Sequence, residues 1–215
     1  MEIKVMKRVL DKNQDKAEQV RELLTRQKVK MYNLISSPGA GKTTLLEKTC
    51  EYLKDKIKVG IIEGDVSTDR DAQRLKKYGN PIVLINTDGG CHLDSNSIEK
   101  ALNEFTLTDL DMIFVENVGN LVCPSHFDLG ETSKIAVVST SEGDDKPIKY
   151  PMLFRDAAAV VLNKMDLVEH TNFNYNLFMK DLRTVNPEVP LFEVSCTNGK
   201  GLGPWFEWIE KRVKE

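Results

Sequence analysis

Residues 34–48, LISSPGAGKTTLLEK, decide the fold. An apolar run ends inside this stretch, a helical pattern begins, and a glycine-rich turn joins them. Gly39 and Gly41 let the backbone curl so that N–H groups around Ala40 point inward at an anion. Lys42 supplies a compact positive charge for the outer phosphates of a nucleotide, and Thr43 offers a hydroxyl to Mg²⁺. The helix that opens through Thr43 and Thr44 aims its positive N-terminal end at the same place. Phosphate-loop patterns begin on glycine, whereas this chain has Ser36. That residue alters the entry to the loop but removes neither a donor nor the Lys-Thr pair.

Outward from this loop, short apolar runs alternate with helical patterns: MYNLIS, KVGIIE, PIVLIN, MIFVEN, KIAVVST, AAVVLNK and PLFEVS are the runs. TTLLEKTCEYLKDK, DRDAQRLKKYG, LDSNSIEKALNEF, NYNLFMKDLRTV and GPWFEWIEKRVK are the helical stretches. Alternation of this kind builds βαβ units, and β-branched continuity suits strands covered on both faces. The expected fold is α/β: a doubly wound, mainly parallel sheet with helices on both faces, the phosphate-loop NTPase architecture. Residues 31–215 form that domain. Residues 1–30 precede it as a helical segment, with an amphipathic helix at 10–29 and Leu10, Ala17, Val20, Leu23 and Leu24 on its apolar side. This helix either packs on the domain's flank or serves as a docking arm. The aromatic residues of the last helix read as core.

At 215 residues the chain has room for one sizeable domain. Its net charge of −3 gives no electrostatic reason to expect nucleic acid or an anionic membrane as partner. No apolar run approaches the roughly 20 residues that span a bilayer, and no signal peptide is evident. A cytoplasmic protein is expected, with its four cysteines as thiols or metal ligands.

The nucleotide is read farther along, in VVLNKMDL. Asp166 can accept two N–H groups from guanine, a pair that adenine does not present. Asn163 can bridge the base to the phosphate loop, and the Lys164 stem can lie along the ring. Ser195 and Cys196, after the run PLFEV, sit where a second base-contacting loop belongs. The reading is GTP or GDP. Asp65, at the end of VGIIEGD, suits Mg²⁺ or its waters and the attacking water; it also reads as a cap for a helix starting near Thr68. Glu116 begins an ExxG pattern where GTPases usually show DxxG, and Gly119 can bring its N–H to the γ-phosphate. Lys42, Asp65 and Glu116 are the candidate catalytic residues.

Two of the three histidines lie beside cysteines: His92 follows Cys91, and His126 follows Cys123 in LVCPSH. Loops after the strands of a doubly wound sheet share one face, so Cys91, His92 and Cys123 can converge. Two thiolates and an imidazole suit Zn²⁺ or Ni²⁺ and leave one position for water, His126 or another subunit. The other reading makes the cysteines small buried apolar residues and His92 the neighbour of a helix cap.

SSPGAGKTTLLE, EGDVSTDRDAQR, CHLD, ENVGNLVCP, SEGDDKPIKYP and NKMDL together resemble the hydrogenase nickel-incorporation GTPases (HypB), a family of the SIMIBI class. The resemblance runs from Met31 to the end. It implies a slow, regulatory GTPase that acts as a metallochaperone, bringing Ni²⁺ to [NiFe]-hydrogenase and in some organisms to urease. It also implies a homodimer formed with GTP, the metal held at its interface by Cys91, His92 and Cys123, and the partners HypA and the hydrogenase large subunit. Lys149 matches a lysine that reaches nucleotide across the dimer. Residues 1–30 contain neither Cys nor His, which implies that the chain lacks the nickel-storage function of some relatives and relies on the interface site. Against this stand a SIMIBI GTPase serving another metalloenzyme with structural cysteines, a small-molecule kinase, and a nucleotide-gated binding module.

Overall fold

The computed structural model describes residues 5–65 and 69–215, with side chains from residue 11 onward. The seven predicted runs form seven strands: β1 (Lys30–Ser36), β2 (Val59–Asp65), β3 (Ile82–Asn86), β4 (Met112–Glu116), β5 (Ser133–Ser139), β6 (Ala157–Asn163) and β7 (Leu191–Glu193). They lie in the order β3-β2-β4-β1-β5-β6-β7. Every pairing is parallel, so the sheet is more uniform than the expected mainly parallel one. The helices are α1 (Val5–Gln27), α2 (Lys42–Leu53), α3 (Arg70–Lys76), α4 (Ser95–Leu102), α5 (Cys123–His126), α6 (Lys146–Lys149), α7 (Pro151–Asp156), α8 (Tyr175–Val185) and α9 (Leu202–Lys214). The three short ones, α5 to α7, were not legible as periodic patterns because a single turn or two carries no period.

Alternation along each strand sorts its side chains to the two faces. Tyr32, Leu34, Ile61, Phe114, Val137 and Val161 pack with Leu45 and Leu46 of α2, Leu75 of α3 and Trp205 and Ile209 of α9. The aromatic residues of α9 are core, as read. On the other face, Met31, Ile62, Ile113 and Val115 pack under α1 and α4. Ile35, Ala136, Val138, Val160 and Leu162 pack under α7 and α8. Asn33 falls between Met31 and Ile35 on this second face. It is a fully buried amide at the seam of two apolar clusters.

α1 begins earlier than the predicted residue 10 and packs on its own domain through Ala17, Val20 and Leu24. Leu10 lies outside the residues whose side chains are described. Arg21 Nη2 reaches both oxygens of Asp128 at 2.7 Å, and Lys16 pairs with Glu99 at 2.9 Å. Asn13 donates to the Asp128 carbonyl at 2.8 Å and accepts from the Ser95 N–H at 2.9 Å. It thereby ties the segment after α5 to the start of α4. Among the described residues, no helix is long and apolar enough to cross a membrane.

Candidate functional site: a phosphate-loop cavity beside a thiol–imidazole cluster

The carboxyl ends of β1, β2 and β4 open onto a cavity of about 510 Å³. Its walls include Gly39, Gly41, Lys42, Thr43 and Thr44 from the phosphate loop, Asp65 from β2, and Glu116 and Gly119 from the end of β4. Gly41 has φ of 98° and runs so close to the Asn163 amide that a Cβ there would collide with it. At Gly119 a Cβ would come within 2.9 Å of the Pro38 ring, so the glycine lets the β4 loop lie against the phosphate loop. Ser36 is buried, and its hydroxyl accepts from Lys42 Nζ at 2.8 Å. The residue that departs from the phosphate-loop pattern therefore holds the lysine in place.

Thr43 Oγ1 donates to Glu116 Oε1 at 2.8 Å, which leaves its lone pairs available. Glu63, Asp71 and Glu116 bring carboxylate oxygens within 4.8 Å of one another beside this hydroxyl. Among the described residues, Glu63 Oε2 and Glu116 Oε2 are buried without a hydrogen-bond partner. Burial, and then the charge of Glu116, push the Glu63 carboxyl up from its ordinary range. Burial likewise raises Glu116, against the opposing pull of Lys42. Orphaned carboxylate oxygens held at raised pKa are chemically matched to a hard divalent cation, so the donor set fits Mg²⁺. Asp65 lines the cavity. Asp69 occupies the N-cap position of α3 without a side-chain capping bond.

Glu63 and Asp71 are absent from the residues singled out by sequence. Glu63 had a legible signal, an acid inside an otherwise apolar run whose strand is buried almost throughout. Asp71 and Arg74 resembled an ordinary solvated helix face. Arg74 instead lines the cavity, bonded to Glu47 at 2.6 Å and to Thr44 Oγ1 at 3.0 Å.

On the base side, Asn163 Nδ2 donates to the Ala40 carbonyl at 2.9 Å. Its Oδ1 accepts from the N–H groups of Lys164 and Cys196 at 2.8 and 3.2 Å. One amide thus joins the phosphate loop to both base-side loops. Lys164 takes a left-handed conformation, with φ of 59°, and its carbonyl accepts from Thr140. Asp166 is exposed just beyond it. The Ser195 carbonyl accepts from Gly199 N–H, closing the Asn198-Gly199 turn, and burial raises the Cys196 thiol to about 11. Lys149 lies off the cavity walls, 60% exposed and paired with Asp145, the residue just before its helix. A single chain does not bring it to the phosphates.

The ligand atoms of Cys91, His92 and Cys123 lie within 4.8 Å of one another. Cys91 and His92 follow β3, and Cys123 opens α5 after β4. Cys91 is exposed and Cys123 half-buried, so neither is a buried apolar filler. Cys91 Sγ lies 3.4 Å from His92 Nδ1. Burial lowers the His92 pKa, which favours the neutral, ligating imidazole. The hydrogen bond to Cys123 raises the Cys91 thiol. The His92 ring also lies against Phe127, with centroids 3.8 Å apart, a clamp that the sequence did not announce. Asp94, two residues on, is the true cap of α4, bonded to Ser97 N–H at 2.7 Å. His92 is therefore both a cap neighbour and a member of the cluster. His126 is exposed and outside it.

The profile of the CobW/HypB/UreG nucleotide-binding domain matches residues 30–193. Hydrogenase maturation factor HypB of Escherichia coli (strain K12) is 46% identical over 202 residues, covering 94% of this chain and 70% of that protein. The hydrogenase/urease maturation factor HypB of Helicobacter pylori (strain 26695) is 38% identical, over 100% of this chain and 89% of that protein. A crystal structure of HypB from Helicobacter pylori in complex with nickel superposes with a TM-score of 0.88 at 38% identity, covering 94% of this chain and 95% of that one. The chain belongs to the HypB hydrogenase maturation factors, within the CobW/HypB/UreG nucleotide-binding family.

Proposed function

We propose that this protein hydrolyses GTP slowly and uses the cycle to handle Ni²⁺ as cargo, assisting its insertion into [NiFe]-hydrogenase. The observation that carries the proposal is one of connectivity. β4 ends in Glu116 at the phosphate cavity, and the loop that leaves it runs past Gly119 to Cys123 in the thiol–imidazole cluster. A change in one site has a short covalent path to the other.

In this reading Lys42, the N–H groups around Gly39, Ala40 and Gly41, and the N-terminal end of α2 bind the phosphates. Thr43 and Asp65, with Glu63, Asp71 and Glu116 around them, hold Mg²⁺, which supplies charge neutralisation at the phosphates when bound. Glu116 and Asp65, both on the cavity wall, orient the attacking water, and the Gly119 N–H approaches the γ-phosphate. Asp166 and Lys164 select guanine, Asn163 keeps the base loop in register with the phosphate loop, and Ser195 and Cys196 close the base side. Cys91, His92 and Cys123 hold Ni²⁺, and the same donors suit Zn²⁺.

Three donors leave a position open, which a second copy or a partner can fill. Ile148, Met152 and Leu167 expose large apolar side chains on segments bordering the nucleotide loops, in keeping with a GTP-dependent homodimer. Lys149 lies among them, and in this reading it reaches the other copy's nucleotide. HypA and the hydrogenase large subunit are the partners for nickel exchange. Urease is the second client to test, because the Helicobacter pylori relative is described as a hydrogenase/urease maturation factor.

The test is a Ni²⁺ competition titration on protein loaded with GDP or with a non-hydrolysable GTP analogue, with molar mass recorded on the same samples. The expected result is a dimer in the analogue state holding about one metal per interface, with changed affinity. Mass and affinity that ignore the nucleotide would leave a nucleotide-binding protein without metal coupling.

A further inference from the structure

We propose that Asn117 is the positioning residue that carries the state of the phosphate cavity to the Cys91–His92 loop. The inference rests on the coupled GTP and nickel reading above, and it names the side chain through which that coupling runs.

Asn117 follows Glu116 directly and is only 1% exposed. Its Oδ1 accepts two backbone N–H groups: Leu93 at 3.2 Å and Val118 at 3.0 Å. The first belongs to the residue after His92. The second belongs to the loop that lines the phosphate cavity with Gly119. One carbonyl oxygen is thus shared between the metal-ligand loop and the phosphate-facing loop, and a shift of either N–H changes the bond to the other.

The amide cannot turn freely to absorb such a shift. Nδ2 donates to Asn33 Oδ1 at 3.1 Å, and the Asn33 amide donates in turn to Glu131 Oε1 at 3.3 Å. Glu131 Oε2 accepts the Leu129 N–H at 2.6 Å. All of these groups are buried, so none has water as a substitute partner. The seam between the two apolar clusters is where this row of polar side chains runs.

Leu93 is held from the other side as well. Its side chain packs on Gly64, where a Cβ would sit 2.8 Å from a Leu93 methyl. Gly64 separates Glu63 from Asp65, so Leu93 touches both acidic segments of the cavity, one by packing and one by its N–H. At the rim, Asn120 Nδ2 donates to the Cys91 carbonyl at 3.4 Å, a longer and more exposed bond. The buried bond is the stiffer of the two links, because solvent does not compete for it.

Other side chains of this size do not reproduce the pattern. Leucine or alanine offers no acceptor to the two N–H groups. Serine and threonine are a bond too short to reach across from β4 to Leu93 while still meeting Asn33.

The test uses the full chain and Ni²⁺ as the probe. Nickel affinity is measured by chelator competition in the GDP and GTP-analogue states, for the unaltered protein and for Asn117→Ala. The unaltered protein is expected to show a ratio of about fivefold or more between states, and Asn117→Ala a ratio within about twofold of one. A merely structural Asn117 would lower affinity in both states alike and preserve the ratio, which overturns the proposal. A ratio of one in the unaltered protein sinks the coupled reading itself, and this inference with it.

Amide hydrogen exchange on the unaltered protein decides the matter if the variant fails to fold. Leu93 and Val118 protection is expected to change together between the two nucleotide states. Leu93 protection that stays constant while Val118 changes overturns the proposal.

Discussion

Lys42 Nζ donates to the hydroxyl of Ser36 at 2.8 Å, and that hydroxyl donates onward to the Ser37 carbonyl at 2.6 Å. The lysine meant for phosphate is held by the residue that breaks the phosphate-loop pattern. Ser36→Ala removes the acceptor from an ammonium that is mostly buried. The nucleotide-free protein should lose about 1–2 kcal/mol, a few degrees in Tm. The loss should shrink when GDP or a GTP analogue is bound, because phosphate then takes over as partner. Equal losses with and without nucleotide, read by thermal unfolding, would show that the lysine stays on Ser36 in the loaded state.

The buried pair Glu63 and Glu116 makes the metal-free protein sensitive to pH. Burial raises the Glu63 pKa from its usual 4.5, and the charge of Glu116 adds to the shift. Between that ordinary value and the raised native one, the folded form keeps a proton that the unfolded chain has released. Stability therefore falls as pH rises through the window. Urea midpoints taken in chelator from pH 5.5 to 8.5 should decline. Glu63→Gln should flatten the decline and stabilise the metal-free protein at the alkaline end by on the order of 1–2 kcal/mol. The same variant should lose much of the Mg²⁺ dependence of nucleotide affinity. An unchanged pH slope would place the titrating group elsewhere.

Phe127 packs on His92 without offering a metal donor of its own. Its ring lies 3.8 Å from that of His92, on the residue after α5, so it fixes the imidazole relative to Cys123. Phe127→Ala should weaken Ni²⁺ binding by about tenfold while leaving all three donors in place. Phe127→Tyr, which keeps the ring, should restore most of the affinity. A tyrosine variant as weak as the alanine variant would mean that ring packing is not what matters.

In the proposed function Asp166 selects the base. A carboxylate accepts two N–H groups, whereas an amide offers one acceptor and one donor. Xanthine replaces the exocyclic amine of guanine with a carbonyl, so it matches the amide. Asp166→Asn should lower GTP affinity by roughly 10²-fold and raise XTP affinity correspondingly. Retention of GTP binding in a competition assay would assign guanine recognition to another group.

All seven strands were legible because each is a short run of apolar, often β-branched residues that a covered parallel strand demands, alternating with helical patterns. The phosphate loop and NKMD were legible for a different reason. Their chemistry depends on residues adjacent in sequence, held by one turn. Glu63 was half-legible as a charged residue in a buried strand. Asp71, Arg74, Asn117 and Phe127 were not legible, because each acts on a residue far from it along the chain.

The sequence by itself therefore determined the layers of the sheet, the glycine-rich turn after β1, the NKMD tetrapeptide after β6 and the two Cys/His segments. Local covalent geometry and strand periodicity are enough for these. Only the tertiary structure decided that Cys91, His92 and Cys123 meet within 4.8 Å, that three carboxylates crowd around Thr43, and that the Asn117 amide joins the two sites. These depend on the order in which strands enter the sheet. With β2 alone between β3 and β4, the loops after β3 and β4 leave the same end of the sheet on either side of β2 and bring Cys91, His92 and Cys123 together. Strand order is set by how the two faces bury their apolar side chains together, and no local stretch of sequence carries that information.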